Sequence, residues 1–192
     1  MQPITHGNIL AVFFASTDLE RINGADWYPA ANKAAAIMAC RYGITLNTAA
    51  GVIAALSPNN RWERNLVDAD SMIRAYSTGG YHAADSIKVG TYHANKSKAL
   101  NILSGINCLD ILGGLKVRAF FDCIIGGDSV CVDGHAYAIW AGQYIPTTKT
   151  PKLTPKIYTA IAADYRKAAA TINSILQAEY SAAQVQAITW TA

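Results

Sequence analysis

The sequence predicts an all-α protein, and three observations carry that reading. Apolar residues recur at helical spacing along most of the 192 residues, with no sustained period-2 alternation. Alanine clusters sit on those helical positions. Gly, Pro and Asn fall between the periodic stretches, where helices stop.

In chain order, the first helix spans roughly Gly7 to Ser16. A second starts near Ala25 and runs through Trp27, Ala31, Ala34, Ile37 and Met38 to Tyr42, with Gly43 in the usual C-terminal place. Thr48 to Leu56 is apolar on nearly every side, which predicts a central buried helix. Ser57-Pro58-Asn59-Asn60 stops it. Trp62 to Tyr76 is amphipathic and ends at Gly79-Gly80, and residues 77–92 read as a polar connection. His93 to Leu103 is a short basic helix, Cys108 to Leu112 one apolar turn, and Gly113-Gly114 a tight bend. Lys116 to Ile125 is helical, Val130-Cys-Val132 extended, and Gly134 to Ala141 helical again. Pro146 to Pro155 reads as a loop, and Thr154 to Ala170 and Ser181 to Trp190 as the last helices.

Composition narrows the function classes. The chain is 52% hydrophobic and 15% charged, enough apolar mass for a core and a poor match to disorder. Its net charge of +3 is compatible with a polyanionic partner but does not demand one. Cys40, Cys108, Cys123 and Cys131 include no CxxC pair, so no metal site and no cofactor is expected, and they read as reduced thiols of a cytoplasmic protein. The apolar run Ile9-Leu-Ala-Val-Phe-Phe-Ala15 is short and lacks a basic start, so it reads as neither a signal peptide nor a membrane span.

The chemistry-bearing stretch is Ser129-Val-Cys-Val-Asp133-Gly-His135. It delivers a carboxylate straight after an apolar run and straight before a helix. Asp133 stands where an N-cap belongs. A capping carboxylate is held by the helix amides, and the same placement suits an electrostatic catalyst, so cap and catalyst coexist here. Lys116, upstream, also stands at a helix start. Partial burial there would suit an amine nucleophile. Asp122 and Asp128 read as surface or capping residues, Trp62 and Trp190 as core aromatics, and His135 as a structural histidine or a supporting residue of the site.

These segments occur in a telling order: Leu56-Ser57-Pro58-Asn59, then Gly90-Thr-Tyr92-His-Ala-Asn-Lys96-Ser-Lys98-Ala99, then Leu112-Gly-Gly-Leu-Lys116-Val117, then Val130-Cys-Val132-Asp133-Gly-His135. The series resembles the helix-hairpin-helix DNA glycosylase superfamily, the group of endonuclease III and the 8-oxoguanine glycosylases. In that family a Leu-Ser-x-Gln loop enters the duplex, a Gly-x-Tyr-x-x-Lys-Ala segment follows, and a Leu-Pro-Gly-Val-Gly-x-Lys hairpin leads to Val-Asp-x-His. The hairpin here is shorter, with no counterpart of the family's Pro and second Gly, and Asn59 and Asn60 stand nearest to the loop glutamine.

The resemblance implies a two-lobed helical fold with a shortened helix-hairpin-helix, forming a single compact unit over 1–192. Residues 44–142 would be the glycosylase-like core, and 1–43 with 151–192 a second lobe. It implies an enzyme acting on a flipped or modified base of DNA, in duplex or as a modified nucleotide. Asp133 would stabilise an oxocarbenium-like sugar or activate the nucleophile, and Lys116 would be a Schiff-base lyase residue. Asn59, Asn60, Arg61, Lys96, Lys98, Gly113 and Gly114 would contact nucleic acid. Related phage enzymes that hypermodify thymine imply an alternative, displacement of pyrophosphate from an activated hydroxymethyl base in the host cytoplasm. A non-catalytic binder of DNA or protein on the same fold is the third reading.

Overall fold

The computed structural model describes residues 5–146 and 149–192. Among them every regular element is helical. The helices are α1 (Thr5–Ala15), α2 (Asp18–Ala25), α3 (Trp27–Tyr42), α4 (Leu46–Leu56), α5 (Trp62–Asp85), α6 (His93–Leu103), α7 (Cys108–Ile111), α8 (Leu115–Ile124), α9 (Gly134–Ala141), α10 (Pro155–Leu176) and α11 (Ala182–Thr191). No described helix is long and apolar enough to cross a membrane.

The chain divides into two compact units. One is built from its two ends, up to Pro29 and from Gly126; the other is Ala30–Ile125. The boundaries therefore fall at 29/30 and 125/126, rather than at 43/44 and 142. Asp133 belongs to the terminal unit, whereas the motif order had grouped it with residues 44–142.

In the terminal unit α10 supplies the longest buried stripe. Ile161, Ala162, Tyr165, Ala168, Ala169 and Ile172 recur at i, i+3 and i+4 spacing, so one face of the helix is apolar. Ile9 and Phe13 of α1, Val185 and Ile188 of α11, and the extended residues Val130 and Val132 fill the same core. Thr154 starts α10 by accepting from the Ile157 amide at 3.3 Å, with Pro155 at the first turn, where its missing N–H costs nothing. Asn173 exchanges two hydrogen bonds with the Tyr180 backbone and so closes the turn into α11. Ser181 and Gln184 form a capping box at the start of α11.

A helix absent from the sequence reading, α2, opens with a second capping box. The Glu20 amide donates to Thr17 Oγ1 at 3.2 Å, and the Thr17 amide donates to Glu20 Oε2 at 2.7 Å. Its Gly24 lies on α11, where a Cβ would come within 2.4 Å of the Ile188 Cα. That backbone approach admits only glycine.

In the central unit α4 is the hub. Residues Ala49 to Leu56 are all buried, and α5, α6 and α8 pack on it. Gly51 leaves room for the Cys108 thiol, whose Sγ donates to the Asn47 carbonyl at 3.3 Å. α5 passes the predicted stop: Gly80 is non-helical (φ 69, ψ −158), yet helix resumes to Asp85. Likewise α10 runs to Leu176 rather than ending at Ala170. Of the expected 146–155 loop, residues 147 and 148 lie outside the described residues.

The Gly24 approach gives a direct stability test. Gly24→Ala forces α2 off α11 and costs about 1–3 kcal/mol, the range for overpacking. Urea unfolding should show a lower midpoint at unchanged slope.

Candidate functional site around Asp133

The segment that delivers Asp133 is set by burial and one distant hydroxyl. Val130, Cys131 and Val132 are buried without belonging to a sheet, so their backbone groups need other partners. Tyr158, in the first turn of α10, supplies two. Its hydroxyl donates to the Val130 carbonyl at 2.8 Å and accepts from the Val132 amide at 3.1 Å.

The next residue, Asp133, adopts extended backbone (φ −109, ψ −167) and caps α9, its Oδ1 accepting from the Ala136 amide at 2.9 Å. The cap was legible in sequence. The carboxylate is half-buried, and among the described residues Oδ2 accepts no hydrogen bond. Beside it lies the fully buried Tyr165. Burial foremost, and also the negative charge of Asp133, push that phenol well above its ordinary range, opposed by its bond with Thr189. The carboxylate thus sits beside a neutral tyrosine.

α9 ends at Gly142 in the left-handed region (φ 65), with the Gln143 amide on the Ala138 carbonyl and the Gly142 amide on the Ile139 carbonyl. Its last turn is anchored from both sides. Asn8 Nδ2 donates to the Trp140 carbonyl at 2.9 Å, and the Trp140 indole donates to Asp164 Oδ2 at 2.8 Å. His135, two residues after Asp133, is exposed and approaches the Trp190 ring, centroids 6.5 Å apart. Trp190 in turn stands edge-on to Trp27 at 5.2 Å. Trp190 is therefore not the core aromatic expected; it is 36% exposed and lines an open cleft of about 810 Å³ together with His135 and Asn8. Asp133 does not line that cleft.

The remaining predicted residues belong to the central unit. Lys116 is the second residue of α8 and is exposed, not partly buried as a nucleophilic amine would be. The hairpin before it is closed from within. Arg118 Nε donates to the Leu112 carbonyl at 2.7 Å and Nη2 to the Leu109 carbonyl at 2.8 Å. Gly113 and Gly114 are exposed, Gly114 with φ 79, and Lys98 Nζ lies 3.9 Å from where a Cβ on Gly113 would be. Lys98 and the bend are thus brought together.

Lys96 is corrected. Its ammonium bonds the Asp85 carbonyl and pairs with the Asp85 carboxylate at 3.2 Å, with 13% of its side chain exposed. It ties α6 to the end of α5 instead of waiting for a phosphate.

The 57–61 loop divides similarly. Asn59 is exposed in the left-handed region (φ 56), and Arg61 is exposed. Asn60 instead donates to Asp68 Oδ2 at 3.0 Å. Asp68, 2% exposed, also accepts from Arg64 Nε at 2.6 Å and the Gly90 amide at 2.7 Å. Thr91 adds a bond to the Pro58 carbonyl at 2.6 Å. This carboxylate therefore locks the 57–60 and 90–91 loops together, a role the sequence reading missed although Arg64 and Asp68 stand at i,i+4 spacing. Among the described residues no group of three or more His, Cys, Asp or Glu could hold a metal ion.

A family model described as "Family of unknown function (DUF7178)" matches residues 3–192. The chain belongs to that family. The match spans both units, so Asp133, Lys116 and the cleft beside α9 are all within it. No curated protein and no solved structure matches the chain.

Tyr158→Phe tests the scaffold of this site. It leaves the Val130 carbonyl and the Val132 amide without the hydroxyl, at about 1–3 kcal/mol for unsatisfied buried groups. The Val132 amide should then exchange faster with deuterium, while amides of α4 keep their relative protection.

Proposed function

We propose that the protein is a DNA N-glycosylase-like enzyme in which Asp133 is the catalytic carboxylate. The observation that supports this reading is the state of that side chain. Oδ1 is committed to the Ala136 amide, Oδ2 carries no bond among the described residues, and the backbone leading to it is buried and clamped. A carboxylate oriented in this way needs no reorganisation to meet positive charge developing on a substrate.

In the proposed reaction the N-glycosidic bond breaks and its electron pair leaves on the base nitrogen, which takes a proton from solvent. Charge on the sugar carbon is stabilised by Asp133. Water adds to that carbon and gives a proton to the carboxylate, which returns it to solvent, leaving a free base, an abasic sugar and the ionised carboxylate. A capping bond does not conflict with this work, since it uses only one of the two oxygens.

The exposure of Lys116 favours hydrolysis over lyase chemistry, because the residue lacks the apolar enclosure of an amine nucleophile. For contact with DNA the reading uses Arg61, Asn59, Lys98 and the Gly113-Gly114 bend, all of which are solvent-accessible. Asn60 and Lys96 are left out because Asp68 and Asp85 engage them.

The test is incubation with duplexes carrying uracil, oxidised, alkylated or 5-hydroxymethylated bases, followed by mass spectrometry of bases and strands. The expected result is an abasic product from at least one duplex. Asp133→Asn should lower its rate by about a hundred- to ten-thousand-fold, the range for a positioned acid–base group. Lys116→Ala should leave excision intact, with no borohydride-trapped adduct in either protein. Undiminished excision by Asp133→Asn, or no abasic product from any duplex, contradicts the reading. A base that gains mass on an intact strand would assign the carboxylate to group transfer on a hydroxymethylated base instead.

A further inference from the structure

His135 is the part of the Asp133-Gly-His135 motif that the proposed chemistry leaves unused. It projects from α9 into the 810 Å³ cleft, which Asp133 does not line. The volume lies in the range of small-molecule sites. We propose that this cleft binds an uncharged nitrogen heterocycle of nucleobase type, seated against the Trp190 indole and read by His135, Asn8 and Gln143.

Three observations lead there. The first is shape and polarity: Val12 and Ile139 give the cleft apolar walls, and the partly exposed Trp190 ring offers a stacking edge beside His135.

The second is the unspent hydrogen-bonding capacity. Asn8 donates through Nδ2 to the Trp140 carbonyl, and among the described residues its Oδ1 accepts nothing. The His135 ring nitrogens, the Trp190 Nε1–H and the Gln143 side-chain amide likewise have no partner among the described residues. Donors and acceptors therefore converge on one apolar space, and the edge of a nucleobase presents both kinds. A pure hydrocarbon in the cleft would exclude water from these groups and leave them unsatisfied.

The third is charge. Among the described residues no Lys, Arg, Asp or Glu side chain lines the cleft, so a phosphate or carboxylate would find no side-chain counter-ion among them. The anchoring also bears on rigidity. Gly142, at the cleft wall, meets Asn8 so closely that a Cβ would lie 2.7 Å from its Nδ2. The bond from Asn8 Nδ2 to the Trp140 carbonyl holds that side chain on α9.

The experiment uses the full chain labelled with ¹⁵N. Its four tryptophans give separate indole N–H signals, and Trp190→Phe assigns one of them. Thymidine, deoxycytidine, deoxyadenosine and deoxyguanosine are titrated in turn, with cyclohexanol as a non-aromatic control. At least one nucleoside should move the Trp190 signal saturably, and His135→Ala should weaken that binding about tenfold, the effect of losing a hydrogen bond to the ligand. His135 is exposed, so this variant keeps the core. Failure of every nucleoside to move the Trp190 signal overturns the proposal. So does equal binding of cyclohexanol that is insensitive to His135→Ala, which marks a merely apolar crevice. The readout is equilibrium binding, so it stands or falls separately from glycosidic cleavage at Asp133.

Discussion

The bond from the Ala136 amide to Asp133 Oδ1 is the interaction on which the chemistry proposed for the terminal unit depends. A helix begins with amides that have no internal partner, and a carboxylate at the cap satisfies one of them while meeting the positive end of the helix dipole. The cap residue must be extended, as Asp133 is. The preceding residues must therefore arrive extended too, and they do so through a core that offers no neighbouring strand. The Tyr158 hydroxyl solves that accounting by serving one carbonyl and one amide two residues apart. Core burial, cap and carboxylate are thereby coupled: the apolar run cannot shift without moving the acid.

The central unit uses ionic groups in a different way, to close its own loops. Asp68 gathers an amide, an asparagine and an arginine from two loops and α5. Arg118 caps the carbonyl end of α7 with its guanidinium, where a planar fork can serve two acceptors at once. A Cβ at Gly90 would stand 2.8 Å from Asn60 Oδ1, so a larger residue there would displace Asn60 from this arrangement. Buried polar groups spent in this manner are unavailable to a ligand. Asn59, Arg61 and Lys98 lie outside these closures and stay solvent-accessible.

Local patterns were legible and distant ones were not. The bounds of α6 follow from periodicity and those of α9 from its Asp133 cap and Gly142 stop, the cap being legible as an acid placed before a helical run. α2 carried a readable Thr-x-x-Glu start at Thr17 and Glu20, but its few apolar residues hid the helix; Leu19 and Ile22 are in fact exposed. Gly80 breaks helical geometry as expected, yet the chain resumes the helix because Ala84 has a core to enter. Tyr158 could not be foreseen, since its bonds span 26 and 28 residues. The partner of Lys96 is hidden for the same reason: its acid, Asp85, lies on another helix. Trp190 was read as core because aromatics usually are, and nothing local announces that its ring borders a cleft.

The central claim is that the Asp133 carboxylate is aimed at positive charge on a sugar carbon. It can be measured without knowing the base, by comparing duplexes with a cationic pyrrolidine abasic analogue and with the uncharged tetrahydrofuran analogue. Transition-state-like charge should tighten binding by about tenfold or more in the native protein, and Asp133→Asn should abolish that preference at the same salt concentration. Equal affinity for the two duplexes, or a preference that survives Asp133→Asn, would contradict the account.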